Sequence, residues 1–282
     1  MAHYLDPKND LIFKRIFGGH PDLLMSFLNA LMPLEEGQLI ESLKYLPAEQ
    51  VPDTPAKKNS IVDVRCRDNR GRQFIVEMQM YWTTSFSNRI LFNASKAYVN
   101  QLEISEKYDL LHPVYALGIL NDIFDRKTDE FYHHYRIVNY RNSDEVIKGL
   151  EFVMIELPKF RAETWTDRRM AALWLRFLKE VKDGLNDVPP DLKEDAEINR
   201  ALDLCEEAAY TDAERLVYDA YWDAVRTEKT VIADSLAKGE AIGEAKNRFN
   251  TVVNCGRIGL SIEQIQAITG LSEEEIREIL KK

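Results

Sequence analysis

Apolar positions repeat at helical spacing near the start of the chain, at strand spacing through its middle, and at helical spacing again towards its end. Residues 8–31 predict two helices, because the breaker cluster Gly18-Gly19-His20-Pro21 interrupts the apolar repeat. Residues 85–104 predict one long amphipathic helix. Alternating or β-branched runs predict strands at 38–46, 61–67, 73–81, 113–120, 131–140 and 152–157.

The pattern after residue 160 is almost entirely helical. Besides two short helices at the end of the chain, it predicts helices near 167–182, 191–209, 212–235 and 236–254. Ser261 and Ser272 each begin a capping-box pattern, which predicts that the short helices form a helix-turn-helix-like pair. The second helix opens with Glu273-Glu274-Glu275, which favours packing or self-association over DNA reading. We therefore divide the chain into an α/β part at 1–160, a helical extension at 161–235 and a C-terminal segment at 236–282.

The second and third predicted strands form a hairpin with polar residues on one face. The connecting segment Asp68-Asn69-Arg70-Gly71 predicts a tight turn. With Gly71 in the left-handed conformation, the ladder places Asp63 opposite Glu77, and Gln79 lies further along the same face. Opposed carboxylates repel unless solvent screens them or a cation lies between them, and Mg²⁺ prefers oxygen ligands. Two interpretations stay open here: a solvent-facing sheet surface and a metal site.

Composition narrows the class of protein. The chain has 47 acidic and 37 basic side chains, a net charge of −10. This charge argues against binding to nucleic acid or to an anionic membrane through overall electrostatic attraction. The longest run without a polar side chain, Val114–Leu120, is too short to span a membrane. The N-terminus lacks a signal-peptide pattern, and three distant cysteines exclude a disulfide framework. We expect a soluble, cytoplasmic protein.

The charge is nevertheless uneven. Residues 57–72 contain six basic and two acidic side chains, a local net charge of 6 − 2 = +4 beside the facing carboxylates. Two interpretations are phosphate contact and an ordinary solvated surface. On the first interpretation, the candidate nucleic-acid contacts of the hairpin region and of the long helix are Lys58, Arg65, Arg67, Arg89 and Lys96.

An acid on one strand followed by Glu-x-Gln on the next resembles the PD-(D/E)XK nuclease superfamily. The whole N-terminal half is similar to the Rpn-type family of recombination-promoting nucleases and transposases. The stretches that carry this resemblance are Asp6–Gly18, Phe27–Leu31, Ser60–Val64, Gly71, Val76–Gln79, Tyr98–Leu102 and Pro113–Asn121.

The resemblance implies a restriction-endonuclease-like mixed sheet core with flanking helices. It also implies that Asp63 and Glu77 bind a divalent metal, with Asp10 as a third carboxylate. Mg²⁺ is the expected ion, with Mn²⁺ and Ca²⁺ as alternatives. The bound ion would polarise a phosphodiester oxygen and lower the pKa of the attacking water. For Asp10 the competing interpretation is a surface ion pair with Lys14, four residues further along the same helix.

Gln79 departs from the superfamily pattern, which has Lys at this place. A neutral amide can orient a water molecule but cannot supply positive charge to the transition state. Lys14 and Lys58 are therefore candidate substitute cations.

The resulting prediction is a metal-dependent endodeoxyribonuclease that acts on double-stranded DNA and promotes recombination or attacks foreign DNA. The main alternative is a catalytically degenerate relative that binds DNA or a partner protein, which Gln79 and the net charge of −10 favour. An RNA nuclease would use the same chemistry. The helical C-terminal part offers a surface for a homodimer.

Overall fold

The computed structural model describes residues 3–35, 37–50, 60–103, 105–165, 169–185 and 187–281. The helices are α1 (Asp10–Phe13), α2 (Pro21–Leu31), α3 (Thr84–Val99), α4 (Arg169–Glu180), α5 (Pro190–Glu194), α6 (Ala196–Asp203), α7 (Asp212–Arg257), α8 (Ile262–Thr269) and α9 (Glu273–Lys281). A π-helical turn, Lys14–Gly18, follows α1, and 3₁₀ turns lie at Tyr108–Leu110, Ala162–Trp165 and Glu207–Ala209. The strands are β1 (Leu43–Tyr45), β2 (Glu49–Gln50), β3 (Ser60–Ile61), β4 (Val64–Asp68), β5 (Gln73–Gln79), β6 (Val114–Leu120), β7 (Tyr132–Asn139) and β8 (Asn142–Glu156).

Six strands of the described part form one mixed sheet in the order β1-β4-β5-β6-β8-β7. β5, β6 and β8 run parallel to one another, whereas β1, β4 and β7 pair antiparallel with their neighbours. β2 and β3 form a separate two-stranded sheet. This architecture confirms the predicted mixed sheet with flanking helices and a mainly helical C-terminal part.

The central strands are buried on both faces, because helices cover both sides of the sheet. On one face, Ile75 and Ala116 share an apolar cluster with Phe86 and Ile90 of α3. On the other face, the turn after α1 contacts β4. There an aromatic cluster joins Phe17 to residues of α2 and α4, with ring centroids 4.3 Å from Phe27 and 5.4 Å from Trp174.

Gly118 sets how closely α3 approaches the sheet. A Cβ atom at this position would lie 3.1 Å from Ile90 Cδ1 and 3.2 Å from Phe86 Cζ, both tighter than ordinary packing. Gly118 is also the register partner of Glu77 on β5. The missing side chain therefore lets α3 lie against the middle of β5 and β6, directly beside Glu77.

The predicted hairpin register is confirmed. The ladder pairs Val64 with Val76 and Arg67 with Gln73, and the Asp68 N–H donates to the Arg72 carbonyl at 3.0 Å. Gly71 has φ of 82°, the left-handed conformation that the turn requires.

Several predicted element bounds are wrong. The strand predicted at 38–46 is limited to Leu43–Tyr45, while the strand predicted at 152–157 begins at Asn142, because β8 pairs with β7 beyond the rest of the sheet. The helix predicted at 191–209 is split into α5, α6 and a 3₁₀ turn, because Asp195 leaves the helical conformation to cap α6. The helices predicted at 212–235 and 236–254 are one helix, α7, since no proline or cap separates them.

Contacts divide the chain into two compact units, Met1–Trp222 and Asp223–Lys282. In the second unit, Val252, Cys255, Ile265 and Ile276 form a small core, and the capping box at Ser261 is present. The division at 160 and 235 drawn from the sequence stays a prediction. No helix in the described ranges is both long enough and apolar enough to cross a membrane.

Glu156, the last residue of β8, holds the loop that follows β6. Its side chain is fully buried, and its Oε1 accepts a hydrogen bond from the Asp125 N–H at 3.0 Å. His133 Nε2 lies 3.0 Å from Oε2, and Lys159 forms a buried ion pair with the same oxygen. Burial alone raises the pKa of Glu156, but the hydrogen bonds from Lys159, Asp125 and His133 outweigh it and lower that pKa. Glu156 is therefore an ionised anchor of this loop.

Glu156→Gln is expected to lower the free energy of unfolding by about 3 kcal/mol, because it leaves the buried Lys159 ammonium without its counter-charge. Urea denaturation followed by circular dichroism measures the loss. Glu151→Gln is the matched control in the same strand, since the pair of Glu151 with His134 is more exposed. We expect a loss of at most about 1 kcal/mol there. Equal losses in the two variants would contradict the anchoring role.

Candidate functional site

Asp63 lies at a bend between β3 and β4, just beyond the last paired residue of the hairpin. Because the antiparallel ladder ends at Val64, the Met78 N–H has no strand partner on that side. It donates instead to Asp63 Oδ2 at 2.7 Å. The end of the ladder thus directs the Asp63 carboxylate towards the C-terminal end of β5.

Burial of the Asp63 side chain raises its pKa to about 6. The hydrogen bond from Met78 opposes this effect, while the neighbouring charges of Asp10 and Glu77 raise the pKa further and Lys14 lowers it. Asp63 therefore lies close enough to both Asp10 and Glu77 for electrostatic repulsion. A cation among them would relieve that repulsion.

Glu77 lies in the middle of β5 and is only 3% exposed, because α3 covers this face of the sheet. Its Oε1 accepts a hydrogen bond from Asn93 Nδ2 at 2.7 Å, and its Oε2 lies 3.3 Å from Arg89 Nε. The interpretation of this face as a solvent-facing surface is wrong at Glu77. The residue is a buried carboxylate with donors supplied by a helix.

Gln79 is the last residue of β5, and its Oε1 accepts a hydrogen bond from Arg89 Nη2 at 2.6 Å. The Arg89 guanidinium therefore joins Glu77 and Gln79 through two different nitrogens. It also lies over the Phe86 ring, 5.1 Å from the centroid, and its side chain is half exposed. The long Arg89 side chain of α3 thus brings a positive charge next to the neutral amide of Gln79.

Asp10 and Lys14 form the predicted ion pair at 2.8 Å, and both side chains are half exposed. The pair lies at the junction of α1 and the π-helical turn. Because both charges affect the pKa of Asp63, the pair borders the buried carboxylates. Asp10 and Lys14 therefore form a surface ion pair that also lies near Asp63.

The other predicted basic residues are dispersed. Arg65 donates to Gln73 Oε1 at 2.9 Å, and burial lowers the pKa of its guanidinium. Lys96 donates to the Gln50 carbonyl, whereas Arg67 is exposed on β4. Lys58 lies outside the described residues. Of the three that the structure describes, Arg67 alone presents an exposed side chain.

Asn93 was missed in the sequence, although it orients Glu77. It lies one helical turn after Arg89 and is fully buried between the apolar positions Ile90 and Ala94. A polar amide within the apolar stripe of an amphipathic helix is a signal that could have identified it.

The donor set fits a hard divalent cation in its chemistry. Asp63, Glu77 and Asp10 offer carboxylate oxygens and Gln79 an amide oxygen, the ligand types that Mg²⁺ prefers. Within the described ranges, no three His, Cys, Asp or Glu side chains are gathered as a ready-made metal cluster. Both oxygens of Glu77 contact donors of α3. A cation at Glu77 would therefore compete with the positive charge of Arg89 for these oxygens.

A family model described as PD-(D/E)XK nuclease family transposase matches residues 7–235 of the 282-residue chain. The match includes Asp10, Lys14, Asp63, Glu77 and Gln79 and extends into α7. No curated protein and no solved structure matches the chain.

Asp63→Asn is expected to change how the stability of the metal-free protein depends on pH. The pKa of Asp63 is about 6 in the folded chain, above its ordinary value of 3.8. Its stabilising contribution is therefore complete below about pH 3.8 and is lost as the pH rises through 6. We expect wild type to lose up to about 3 kcal/mol relative to Asp63→Asn across this window.

Urea denaturation in EDTA at several pH values between 4 and 7 measures this difference. Asp129→Asn, at an exposed position, is the control and should follow wild type. A constant difference between Asp63→Asn and wild type at every pH would contradict the raised pKa.

Proposed function

The chain belongs to the PD-(D/E)XK nuclease family transposases, and from this premise we propose that it is a divalent-metal-dependent DNA endonuclease that hydrolyses phosphodiester bonds. One observation carries the proposal. The Met78 N–H holds Asp63 Oδ2 at 2.7 Å beside the C-terminal end of β5, the strand that carries Glu77 and Gln79, and Asp63 lies within electrostatic reach of Glu77 and Asp10. Like charges gathered around a largely desolvated carboxylate are costly without a cation, and they are typical of metal-dependent catalysis.

Asp63 and Glu77 would hold the metal, with Asp10 as an additional carboxylate. We propose Mg²⁺, with Mn²⁺ or Ca²⁺ as alternatives. The bound ion supplies Lewis acidity, which lowers the pKa of the attacking water and neutralises charge on the phosphate. The Met78 N–H would keep Asp63 in orientation, and Asn93 would do the same for Glu77.

Gln79 would orient the attacking water. Its Oε1 has two lone pairs, of which Arg89 takes one, so the other can accept a hydrogen bond from water. A water held in this way points a lone pair towards the scissile phosphate. The amide contributes orientation and no charge.

Arg89 would supply the positive charge that Gln79 lacks. It is better placed for this role than Lys14, because Arg89 contacts Gln79 itself, whereas the side-chain partner of Lys14 is Asp10. A guanidinium binds phosphate oxygens with two parallel hydrogen bonds. The half-exposed Arg89 side chain is long enough to reach from Glu77 to a neighbouring phosphate, and it would contact the phosphate that undergoes cleavage.

We further propose that the cleavage serves recombination or acts on foreign DNA, in line with the transposase description of the family. Exposed Arg67 would contribute a phosphate contact beside the site. A homodimer through the helical C-terminal part remains part of the proposal. Support for it comes from Val231, Leu236 and Ile242 of α7, whose apolar side chains are each more than half exposed.

The second candidate is a catalytically degenerate relative that binds DNA or a partner protein without cutting. The contact between Arg89 and Glu77 favours it, because a guanidinium already neutralises one proposed metal ligand. The two candidates differ in whether divalent ions produce strand cleavage.

Asp63→Ala and Glu77→Ala are each expected to abolish nicking of a supercoiled plasmid in Mg²⁺ or Mn²⁺, because each removes a proposed metal ligand. The fall should be at least about 100-fold in rate, the usual scale for a group that stabilises the transition state. Agarose electrophoresis of time courses with purified proteins measures it, and Asp129→Ala serves as an exposed control. Cleavage that persists in both ligand variants, or wild type inactive with every divalent ion, would refute the enzymatic proposal.

Arg89→Ala is expected to lower the turnover rate about 100-fold, and Arg89→Lys to restore part of it, because Lys keeps the charge without the forked geometry. The Mg²⁺ concentration for half-maximal activity should stay equal or fall, since Arg89 no longer competes at Glu77. Nicking rates over a Mg²⁺ titration measure both quantities, with exposed Arg126→Ala as the control. A raised Mg²⁺ requirement with an unchanged maximal rate would instead mean that Arg89 only supports Glu77.

A further inference from the structure

A cavity of about 370 Å³ lies on the α3 face of the sheet, between α3, β7, β8 and the loop after β6. This volume is near the lower end of the range for small-molecule pockets, about 300–1,000 Å³, so it suits a single planar group. The lining is almost entirely apolar and includes four aromatic rings. Its principal residues are Trp82, Leu91, Phe124, Tyr135, Phe152 and Met154.

The aromatic rings are held as a stacking surface. Trp82 and Phe124 lie with ring centroids 4.7 Å apart and planes tilted by 31°. Tyr135 and Leu91 border the cavity and are 45% and 49% exposed, which is high for large side chains of this kind. Exposed aromatic and aliphatic groups around one cavity mark a binding surface more often than a packing defect.

The wall that carries Phe124 is fixed before any ligand arrives. The N–H groups of Phe124 and Asp125 both donate to the buried Glu156 carboxylate, and the His133 ring packs against Phe124 with centroids 4.7 Å apart and planes tilted by 51°. The backbone N–H of Trp82 donates to Asp122 Oδ2 at 2.9 Å, which ties the chain at Trp82 to the same loop. A preformed site of this kind loses little entropy on binding.

The Phe86 ring is a neighbour of both the cavity lining and the candidate active site. Trp82 follows Gln79 by three residues, and its ring lies 6.1 Å from that of Phe86. The opposite neighbour of Phe86 is the Arg89 guanidinium, which contacts Gln79. Consecutive positions of α3 therefore serve both places, since Arg89 contacts β5 while Ile90 and Leu91 line the cavity.

We propose that this cavity holds the base of an unpaired nucleotide next to the phosphodiester that is cleaved. The proposal rests on the proposed nuclease function and specifies its substrate as DNA with an unpaired base, either single-stranded or extruded from a duplex. Every nucleobase has an apolar face that stacks on aromatic side chains, so the apolar lining binds bases with little discrimination among them. A base cannot reach such a pocket while it is stacked in a duplex.

A nucleobase suits the cavity better than an apolar protein side chain. The planar aromatic walls match a planar ring, and the adjacent Arg89 provides a cation where the phosphate of the same nucleotide would lie. An apolar peptide would gain nothing from a guanidinium that lies beyond the neighbouring Phe86 ring. The combination of stacking surface and phosphate-binding cation is the pattern of single-stranded nucleic-acid sites.

The test is a binding measurement on the full chain, made in Ca²⁺, with a gel to verify that the strand stays intact. Fluorescence anisotropy is recorded with a labelled 12-nucleotide strand, with its blunt duplex, and with a series in which one abasic site moves along the strand. We expect the single strand to bind more tightly than the duplex, and one abasic position to weaken binding about tenfold, the scale of one base–aromatic stack.

Trp82→Ala and Leu91→Glu should weaken binding of the intact strand by a similar factor and abolish the sensitivity to the abasic position. Leu91 is half exposed, so Leu91→Glu keeps the test valid if Trp82→Ala fails to fold. Tyr108→Ala is the matched control, because Tyr108 is 83% exposed and does not line the cavity.

Equal affinity for every position of the abasic site, or unchanged affinity in both cavity variants, would overturn the inference and leave the nuclease proposal standing. Failure of wild type to bind any of the DNA probes would overturn both. If Leu91→Glu lowers the molar mass of the protein in light scattering and leaves DNA binding unchanged, the cavity is a contact between copies of the chain, and the inference fails.

Discussion

A carboxylate buried in the centre of a sheet face requires hydrogen-bond donors, and the arrangement around Glu77 follows from that requirement. β5 has neighbours on both sides and helices over both faces, so solvent cannot satisfy the Glu77 side chain. The donors come from Asn93 and Arg89, which lie one turn apart on α3. Gly118 allows α3 to approach closely enough for both contacts. The close docking of α3 on the sheet is therefore what supplies Glu77 with its hydrogen-bond donors.

The local part of the site could be predicted from the sequence, because a hairpin register depends on turn chemistry. Gly71 sets the turn, and the ladder then brings Asp63 to the end of β4 beside β5. The contacts of Arg89 and Asn93 could not be predicted, since they depend on how far and at what angle α3 docks on the sheet. The order of strands in the sheet could not be predicted, because the parallel pairing of β5 with β6 has no local signal, and the resemblance to a family implied only a mixed sheet.

The electrostatic reading of the sequence also changes with burial. Six basic residues in 57–72 count equally in a sum of charges, yet Arg65 is turned inward to Gln73 while Arg67 remains exposed. Conversely, the Asp63 carboxylate counts as one negative charge, although its raised pKa favours the neutral form in mildly acidic solution when no metal is present. Net charge therefore describes the surface of this protein poorly near its site, where partners and burial decide which groups are charged.

The helix α3 fixes the spacing between the candidate active site and the aromatic cavity. It carries Arg89 towards β5 and Leu91 towards the aromatic cavity, and within a helix each residue adds a rise of about 1.5 Å and a rotation of about 100°. A substitution along α3 alters single contacts but leaves the relative directions of the other side chains unchanged. Insertion or deletion of one residue between Arg89 and Asn93 would rotate one donor of Glu77 out of reach of the strand. The length of this segment is therefore under tighter constraint than its composition.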